Sequence, residues 1–407
     1  MRVVIASLLL LLWVPRLAAA QERLAGVVQD SVTHAPLAFA SVFLANTTLG
    51  ATTTEDGKFE FPRVPAGTYD VVASYVGYRL AKQTITVGAT APPLVLRLSP
   101  SANRLGEVVV RAHRTRTDDY QRFVQLFLGN TTFSKQCHIR NRSDVQAYFD
   151  AYNRELTATV DNFLQVDNQA LGYRIKYFGF NFKCDFRQQT LSFYGQPVFE
   201  EMTPRDDRQQ RQWEANRVAA YHGSLTHFLK SVYDNRLSAE GFLAQKVRIV
   251  RNPRYALADS LMQALRASHT SYSAAYQDSM DRWRQVPPAF ALLYTAERPA
   301  DSLRRVSADG AHTLLRFTDE LQVCYFGEAP DPRYGQPMAA LGPPGAPAPA
   351  KRQVSRLRLL APEAEIQPNG YLVNPLAVFV SEYWGFEKIG EFLPLNYVPP
   401  ASPSPTP

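Results

Sequence analysis

Between residues 25 and 87, short runs of alternating apolar and polar positions are separated by turn residues at regular intervals, a period of two that predicts a small all-β sandwich. Gly26 to Val28 starts one strand. Pro36 to Leu44 gives the next, with Leu37, Phe39, Ser41 and Phe43 on one side, and Glu55-Asp56-Gly57 turns the chain into Lys58 to Phe61. After a second turn at Pro65-Ala66-Gly67, Tyr69, Val71, Ala73 and Tyr75 alternate with Asp70, Val72 and Ser74, as expected where one strand face lies on a core.

The pattern then changes. Residues 100–117 are polar apart from Glu107-Val108-Val109-Val110 and read as a linker with a short β-segment. Residues 118–398 are long enough for a core of their own and mix both periods, which predicts an α+β domain with an antiparallel sheet. Asp118 and Asp119 precede a helical pattern at Tyr120, Phe123, Val124 and Phe127 that Gly129 ends. Val145 to Asp150 and Glu155 to Val160 read as paired strands, and Phe180, Phe182, Cys184 and Phe186 share one face of a strand that turns at Arg187-Gln188-Gln189 into Thr190 to Tyr194. From Asp206 to Tyr233 the period becomes helical, with Val218, Tyr221, Leu225, Phe228, Leu229 and Val232 in one stripe. Gly223 inside that stripe costs about 1 kcal/mol relative to alanine unless close packing compensates. A helix near Ala256 to Ser268, a hairpin of His312 to Phe317 with Leu321 to Phe326, a strand over Val354 to Leu360, a turn at Gln367 to Gly370 and a short helix over Trp384 to Phe392 complete the expectation. The stretch from Gly342 to Ala350 reads as a low-complexity loop, and residues 399–407 as a disordered tail.

The motifs of the first region come in a specific order: G-x-V-x-D (Gly26, Val28, Asp30), P-L-x-x-A-x-V (Pro36, Leu37, Ala40, Val42), D-G-x-F (Asp56, Gly57, Phe59), P-x-G-x-Y (Pro65, Gly67, Tyr69) and S-Y-V-G-Y (Ser74 to Tyr78). Residues 21–99 thereby resemble the carboxypeptidase regulatory-like domain, a transthyretin-like, Ig-like seven-stranded sandwich common in cell-envelope proteins of Bacteroidetes. The resemblance implies no catalytic residue, because this domain only accompanies a peptidase in some carboxypeptidases. Four later stretches, Phe127 to Asn141, Asn168 to Phe178, Arg217 to Tyr233 and Asn369 to Tyr397, resemble stretches found together after the same kind of sandwich in a Bacteroidetes family to which no reaction is assigned. Leu105 to Val110 is similar to the L-x-E-V-V-V segment that follows such sandwiches in TonB-dependent outer-membrane receptors. The remaining chain lacks the many ten-residue amphipathic strands of a large barrel, so an accessory factor of a TonB-type uptake system is the reading that segment leaves open.

The first 20 residues carry Arg2, an apolar run from Val3 to Val14 and Ala18-Ala19-Ala20, a secretory signal pattern with a small-residue cleavage site. No later apolar run approaches the roughly 18 to 20 residues of a membrane helix. The expected product is therefore periplasmic, outer-membrane-associated or extracellular. The formal charge of +7 is modest and spread out, weak support for a polyanionic partner and none for nucleic acid.

Chemistry is sparse. None of His34, His113, His138, His222, His227, His269 or His312 is followed three residues on by glutamate, which excludes the H-x-x-E pair of a zinc carboxypeptidase, and no H-E-x-x-H, G-x-S-x-G or P-loop occurs. On a continuous helix His222 and His227 diverge by about 140°, unlike a metal-binding pair. Cys137 and Cys184 are candidates for a disulfide closing a loop of about 47 residues, worth roughly 4 kcal/mol on the chain-entropy account, with Cys324 unpaired; three buried thiols are the alternative. No catalytic, metal-binding or cofactor-binding residue is assigned and no cofactor is expected. The leading expectation is an exported, non-catalytic binding, adaptor or structural protein of the cell envelope, with an envelope protein or glycan as partner. Candidate contacts are Glu107, Val108, Val109 and Val110, and the aromatic group Tyr383, Trp384 and Phe386. The alternative is a hydrolase of envelope glycans or peptides whose carboxylates converge only in the fold; Glu200-Glu201 and Asp206-Asp207 are the densest acidic places, though Asp206-Asp207 also suits a helix start.

Overall fold

A computed structural model describes residues 21–88, 93–101, 115–268, 274–335 and 352–400. The signal-like stretch, Leu105 to Val110, Gly342 to Ala350 and residues 401–407 lie outside these. Two compact units result, residues 1–42 with 50–101, and residues 43–49 with 102–407.

The N-terminal strands are β1 (Gln21–Asp30), β2 (Ser41–Leu44), β3 (Gly50–Thr52), β4 (Lys58–Pro65), β5 (Gly67–Ser74), β6 (Ala81–Val87) and β7 (Leu94–Leu98). They form two sheets, ordered β4-β1-β7 and β3-β2-β5-β6, the seven-stranded sandwich expected from the motifs. β1 runs antiparallel to β4 and parallel to β7. Gly26 sits where these strands come closest: a Cβ there would lie 2.5 Å from Leu94 O and 2.7 Å from the Phe59 ring. Asp30 ends β1 by accepting from the N–H groups of Val32 and Thr33 and from the Tyr78 hydroxyl, at 2.7, 2.9 and 2.7 Å, and these bonds hold its carboxyl down at about 2. The first and last motifs of the sandwich thus meet in a structural clamp. The strand expected over Pro36 to Leu44 is shorter: Phe39 has φ 59° and is 68% exposed, while Leu37 and Ala40 are both buried. One left-handed residue breaks the alternation, and regular pairing begins only at Ser41.

The second unit opens with α1 (Thr117–Leu128) on a six-stranded sheet of β8 (Cys137–Ile139), β9 (Val145–Asp150), β10 (Glu155–Val160), β11 (Phe163–Asn168), β12 (Tyr173–Asp185) and β13 (Thr190–Glu201). The order is β8-β11-β12-β10-β9, with β13 paired to β12, and all pairings are antiparallel. The aromatic face of β12 is the floor of this core: Phe123 and Phe127 of α1 meet Phe182 and Phe180 edge-on at 5.1 and 5.0 Å.

Next come α2 (Asp207–Tyr221), α3 (Leu225–Tyr233), β14 (Phe242–Arg251), α4 (Pro253–Ser268), α5 (Ala274–Arg284), β15 (Ala289–Glu297) and the single turn α6 (Ala300–Leu303). Strands β16 (Arg304–Val306), β17 (Thr313–Leu315), β18 (Glu320–Tyr325), β19 (Gln353–Leu359), β20 (Ala364–Ile366) and β21 (Val378–Glu382) follow, and the single turn α7 is Tyr383–Phe386. A five-stranded sheet has the order β15-β14-β18-β19-β21, and a small one β16-β17-β20. Phe228, Leu229 and Val232 of α3 pack with Phe242, Val323, Leu357 and Trp384 in a second core.

Three expectations are corrected here. The helix over 206–233 is two helices, because Gly223 takes φ 77° and Ser224 caps α3 by accepting from the His227 N–H at 3.1 Å. His312 to Phe326 is no hairpin: β17 already pairs with β16 and β20, and β18 with β14 and β19, so neither strand has an edge for the other. The helix over Trp384 to Phe392 is only α7 and a 3-10 turn at Ile389–Glu391, separated by Glu387 at an extended ψ of 129°.

Candidate functional site

The break between α2 and α3 gathers the first cluster. It turns His222 back toward His227 instead of leaving the two on diverging faces of one helix, and their ring centroids stand 5.2 Å apart at 80°. The Gly223 N–H donates to His227 Nδ1 at 3.2 Å, which leaves the proton of the neutral ring on Nε2, facing Glu240 Oε2 at 3.5 Å. Burial between the Phe242 and Tyr325 rings, reinforced by His222, pushes His227 down to about 4 against the opposing pull of Glu240. Burial lowers His222 as well. The Gly223 carbonyl accepts from Trp384 Nε1 at 2.7 Å. Beside it, two buried atoms have no hydrogen-bond partner among the described residues, His222 Nδ1 and the Oε1 of Gln353, a side chain only 4% exposed. No three His, Cys, Asp or Glu side chains among the described residues are arranged to hold a metal ion.

Carboxyl groups form the second cluster. Beyond α7, Glu391 accepts from Thr131 Oγ1 and from the Lys388 N–H, the latter at 3.3 Å, and burial pushes its carboxyl up to about 8. Burial, followed by the charges of Glu391, Glu328 and Asp331, raises Glu387 well above the carboxylate range. Burial also brings Glu328 to about 7 and lowers Lys388. Asp331 is fixed by its surroundings: its N–H donates to the Tyr383 hydroxyl at 3.0 Å, and its Oδ2 accepts from the Thr132 N–H at 2.8 Å. Tyr334 packs edge-on against Tyr383 and Phe386 at 5.0 and 5.2 Å. Chemically, Glu328 and Glu391 are carboxyls able to hold and release protons near neutral pH, with Glu387 raised beside them and the Asp331 side chain fixed by its hydrogen bond.

The anticipated residues are distributed differently. Tyr383 and Trp384 are each 5% exposed and serve the interior, Tyr383 through Asp331 and Trp384 through Gly223, while Phe386 is half-buried against Tyr334; this aromatic group does not form an exposed contact surface. Glu107, Val108, Val109 and Val110 lie outside the described residues, and with them the observation behind the uptake-accessory reading. Glu200 pairs with Lys176 at 2.6 Å, Glu201 lies 3.8 Å from Arg217, and Asp206 caps α2 by accepting from the Gln209 N–H at 2.7 Å, so the densest acidic places are structural. Cys137, Cys184 and Cys324 are free, buried thiols. The expected Cys137–Cys184 disulfide is absent because strand register puts its ends far apart: Cys137 faces Asn168, which faces Tyr173 at the start of β12, whereas Cys184 is at the other end of that strand. That separation far exceeds the roughly 7 Å between Cα atoms that a disulfide spans.

One surface escaped the sequence pattern. β15 is the edge strand of its sheet, and from Phe290 onward every residue is exposed; Phe290, Leu292, Leu293 and Tyr294 are 43 to 48% exposed, with Ile249 of β14 at 47%. Its largely apolar run has no period-two alternation and so carries no sign of an exposed edge.

Residues 24–110 match the CarboxypepD_reg-like domain family, so the chain carries such a domain over the sandwich. No curated protein matches the chain. Among solved structures, a "putative carbohydrate binding protein" from Bacteroides uniformis ATCC 8492 is similar at 12% identity, covering 43% of this chain and 78% of that one with a TM-score of 0.16, a level at which neither fold nor function is carried across.

Proposed function

We propose that this is an exported, non-catalytic binding or adaptor protein of the cell envelope, its regulatory-like sandwich at residues 21–99 serving as one module and the α+β domain at 118–398 as the recognition module. The observation that carries this reading is the apolar edge β15, an exposed run of Phe290, Leu292, Leu293 and Tyr294 that a solitary globular domain has no reason to keep in water. The signal-like first 20 residues support export. Its test is crosslinking in the native bacterium, with the wild-type chain compared against a Phe290→Ser, Leu292→Ser double variant. A stoichiometric envelope component lost in the variant supports the reading; identical recovery from both sinks it.

A second reading, a hydrolase of envelope glycans or peptides, is favoured by Glu328, Glu387 and Glu391, whose carboxyls burial raises, Glu328 to about 7 and Glu391 to about 8, the direction a general acid needs. Incubation of purified protein with envelope glycan and peptide fragments decides it. Turnover that falls by about 10²-fold or more in Glu387→Gln or Glu391→Gln would establish an enzyme, and absence of turnover would leave the binding reading.

A further inference from the structure

We propose that the β14–β15 edge docks the protein onto a membrane surface rich in anionic phospholipid headgroups. This deepens the binding reading and rests on it, by naming the partner of the same surface. The edge is amphipathic in an unusual sense: its strand is apolar and its surroundings are cationic. No charged residue occurs between Ala289 and Ala296, whereas residues 242–298 hold eight basic against four acidic residues, a net +4 of the chain's formal +7. Cross-strand register alternates the two kinds of group: Arg248 stands opposite Leu292 and Val250 opposite Phe290 on one face, Ile249 opposite Ala291 and Arg251 opposite Ala289 on the other. Lys246 reaches over the Tyr294 ring at 5.5 Å. Arg248, Arg251 and Arg254 are exposed and carry no ion pair among the described residues.

Apolar and aromatic side chains beside unneutralised guanidiniums suit the boundary between phosphates and acyl chains, where leucine and phenylalanine side chains leave water and arginines stay with headgroups. Charge selects this occupant over a second copy of the chain, since two such edges would bring like-charged arginine groups together.

The test is co-sedimentation of the chain from Gln21 to Pro407, without the apolar first residues that could themselves bind lipid, with phosphatidylcholine vesicles containing or lacking phosphatidylglycerol. Binding should require phosphatidylglycerol, weaken with salt, fall about a hundredfold in the Arg248→Glu, Arg251→Glu, Arg254→Glu variant and fall tenfold or more in Phe290→Ser, Leu292→Ser. Arg208→Glu, Arg211→Glu, exposed charges on α2, should leave it unchanged. All substituted side chains are exposed, and an unchanged melting curve verifies folding. No vesicle binding, equal binding to neutral vesicles, or equal loss in the α2 variant overturns the proposal. If vesicles are ignored while the Phe290→Ser, Leu292→Ser change abolishes self-association or a protein crosslink, the binding reading survives and only the lipid partner fails. If those changes affect neither lipid nor protein, both fail.

Discussion

A Cβ added at residue 223 would overlap Gln353 Oε1 and approach Tyr325 Cδ1 to 2.8 Å, on a backbone whose φ of 77° already disfavours any side chain. Strain and overpacking each cost about 1 to 2 kcal/mol, so Gly223→Ala should lose about 2 to 4 kcal/mol, read as a lower urea midpoint of the second unit. The shifted groups of the two clusters tie stability to pH with opposite signs. His227 sits at about 4 in the folded chain against an ordinary 6.5, so unfolding takes up a proton in that window; its contribution is present above 6.5 and lost as pH falls toward 4. Glu391 sits at about 8 against an ordinary 4.5, so unfolding releases a proton; its contribution is present below 4.5 and lost as pH rises through 8. The two trends oppose each other between 4.5 and 6.5, and above that the carboxyls act alone. The melting temperature should therefore fall from pH 6.5 to 8, and Glu391→Gln should flatten that fall; an equally steep decline in the variant would remove Glu391 as its source.

Helix and strand identities were legible wherever a single segment carried its own period. Val145 to Asp150 and Glu155 to Val160 have the same limits as β9 and β10, and α1 ends at Gly129 as its sequence indicates. What one segment cannot report is which strand lies beside it. β17 and β18 looked like a hairpin because they are adjacent in sequence, yet each has two other partners, and nothing in the apolar run of β15 says that it stands at an edge. The candidate site was hidden for the same reason. His222 and His227 were visible as a pair but set aside on the assumption of a continuous helix, while Glu328, Asp331, Glu387 and Glu391 meet only through distant segments. Capping was readable and gives a test at this scale. Asp206 bonds the Gln209 N–H whereas Asp207 is exposed in the first turn, so Asp206→Ala should destabilise by about 1 kcal/mol and Asp207→Ala by less than about 0.5 kcal/mol in denaturant melts.

A chain of 407 residues without a cross-link among its described residues must be stable through its cores alone, and the proposed export would also require its three thiols to survive an oxidising compartment. Burial answers both requirements. Phe123, Phe127, Tyr173 and Phe182 are fully enclosed in one core and Phe228 and Leu229 in the other, so the roughly 4 kcal/mol that a long-loop disulfide contributes is not essential to the fold. Burial also raises all three thiols, Cys184 to about 11, leaving almost no thiolate to react at neutral pH. Iodoacetamide should consequently label no cysteine in the native protein and three after unfolding, counted by mass, and dithiothreitol should leave the melting temperature unchanged. A lower melting temperature on reduction would mean that the strands carrying Cys137 and Cys184 are not held at opposite ends of β12. Rapid native labelling of Cys137 would instead mean that the core beneath α1 opens readily. Because the register of β8, β11 and β12 fixes these positions, this inexpensive measurement tests the six-stranded sheet as a whole.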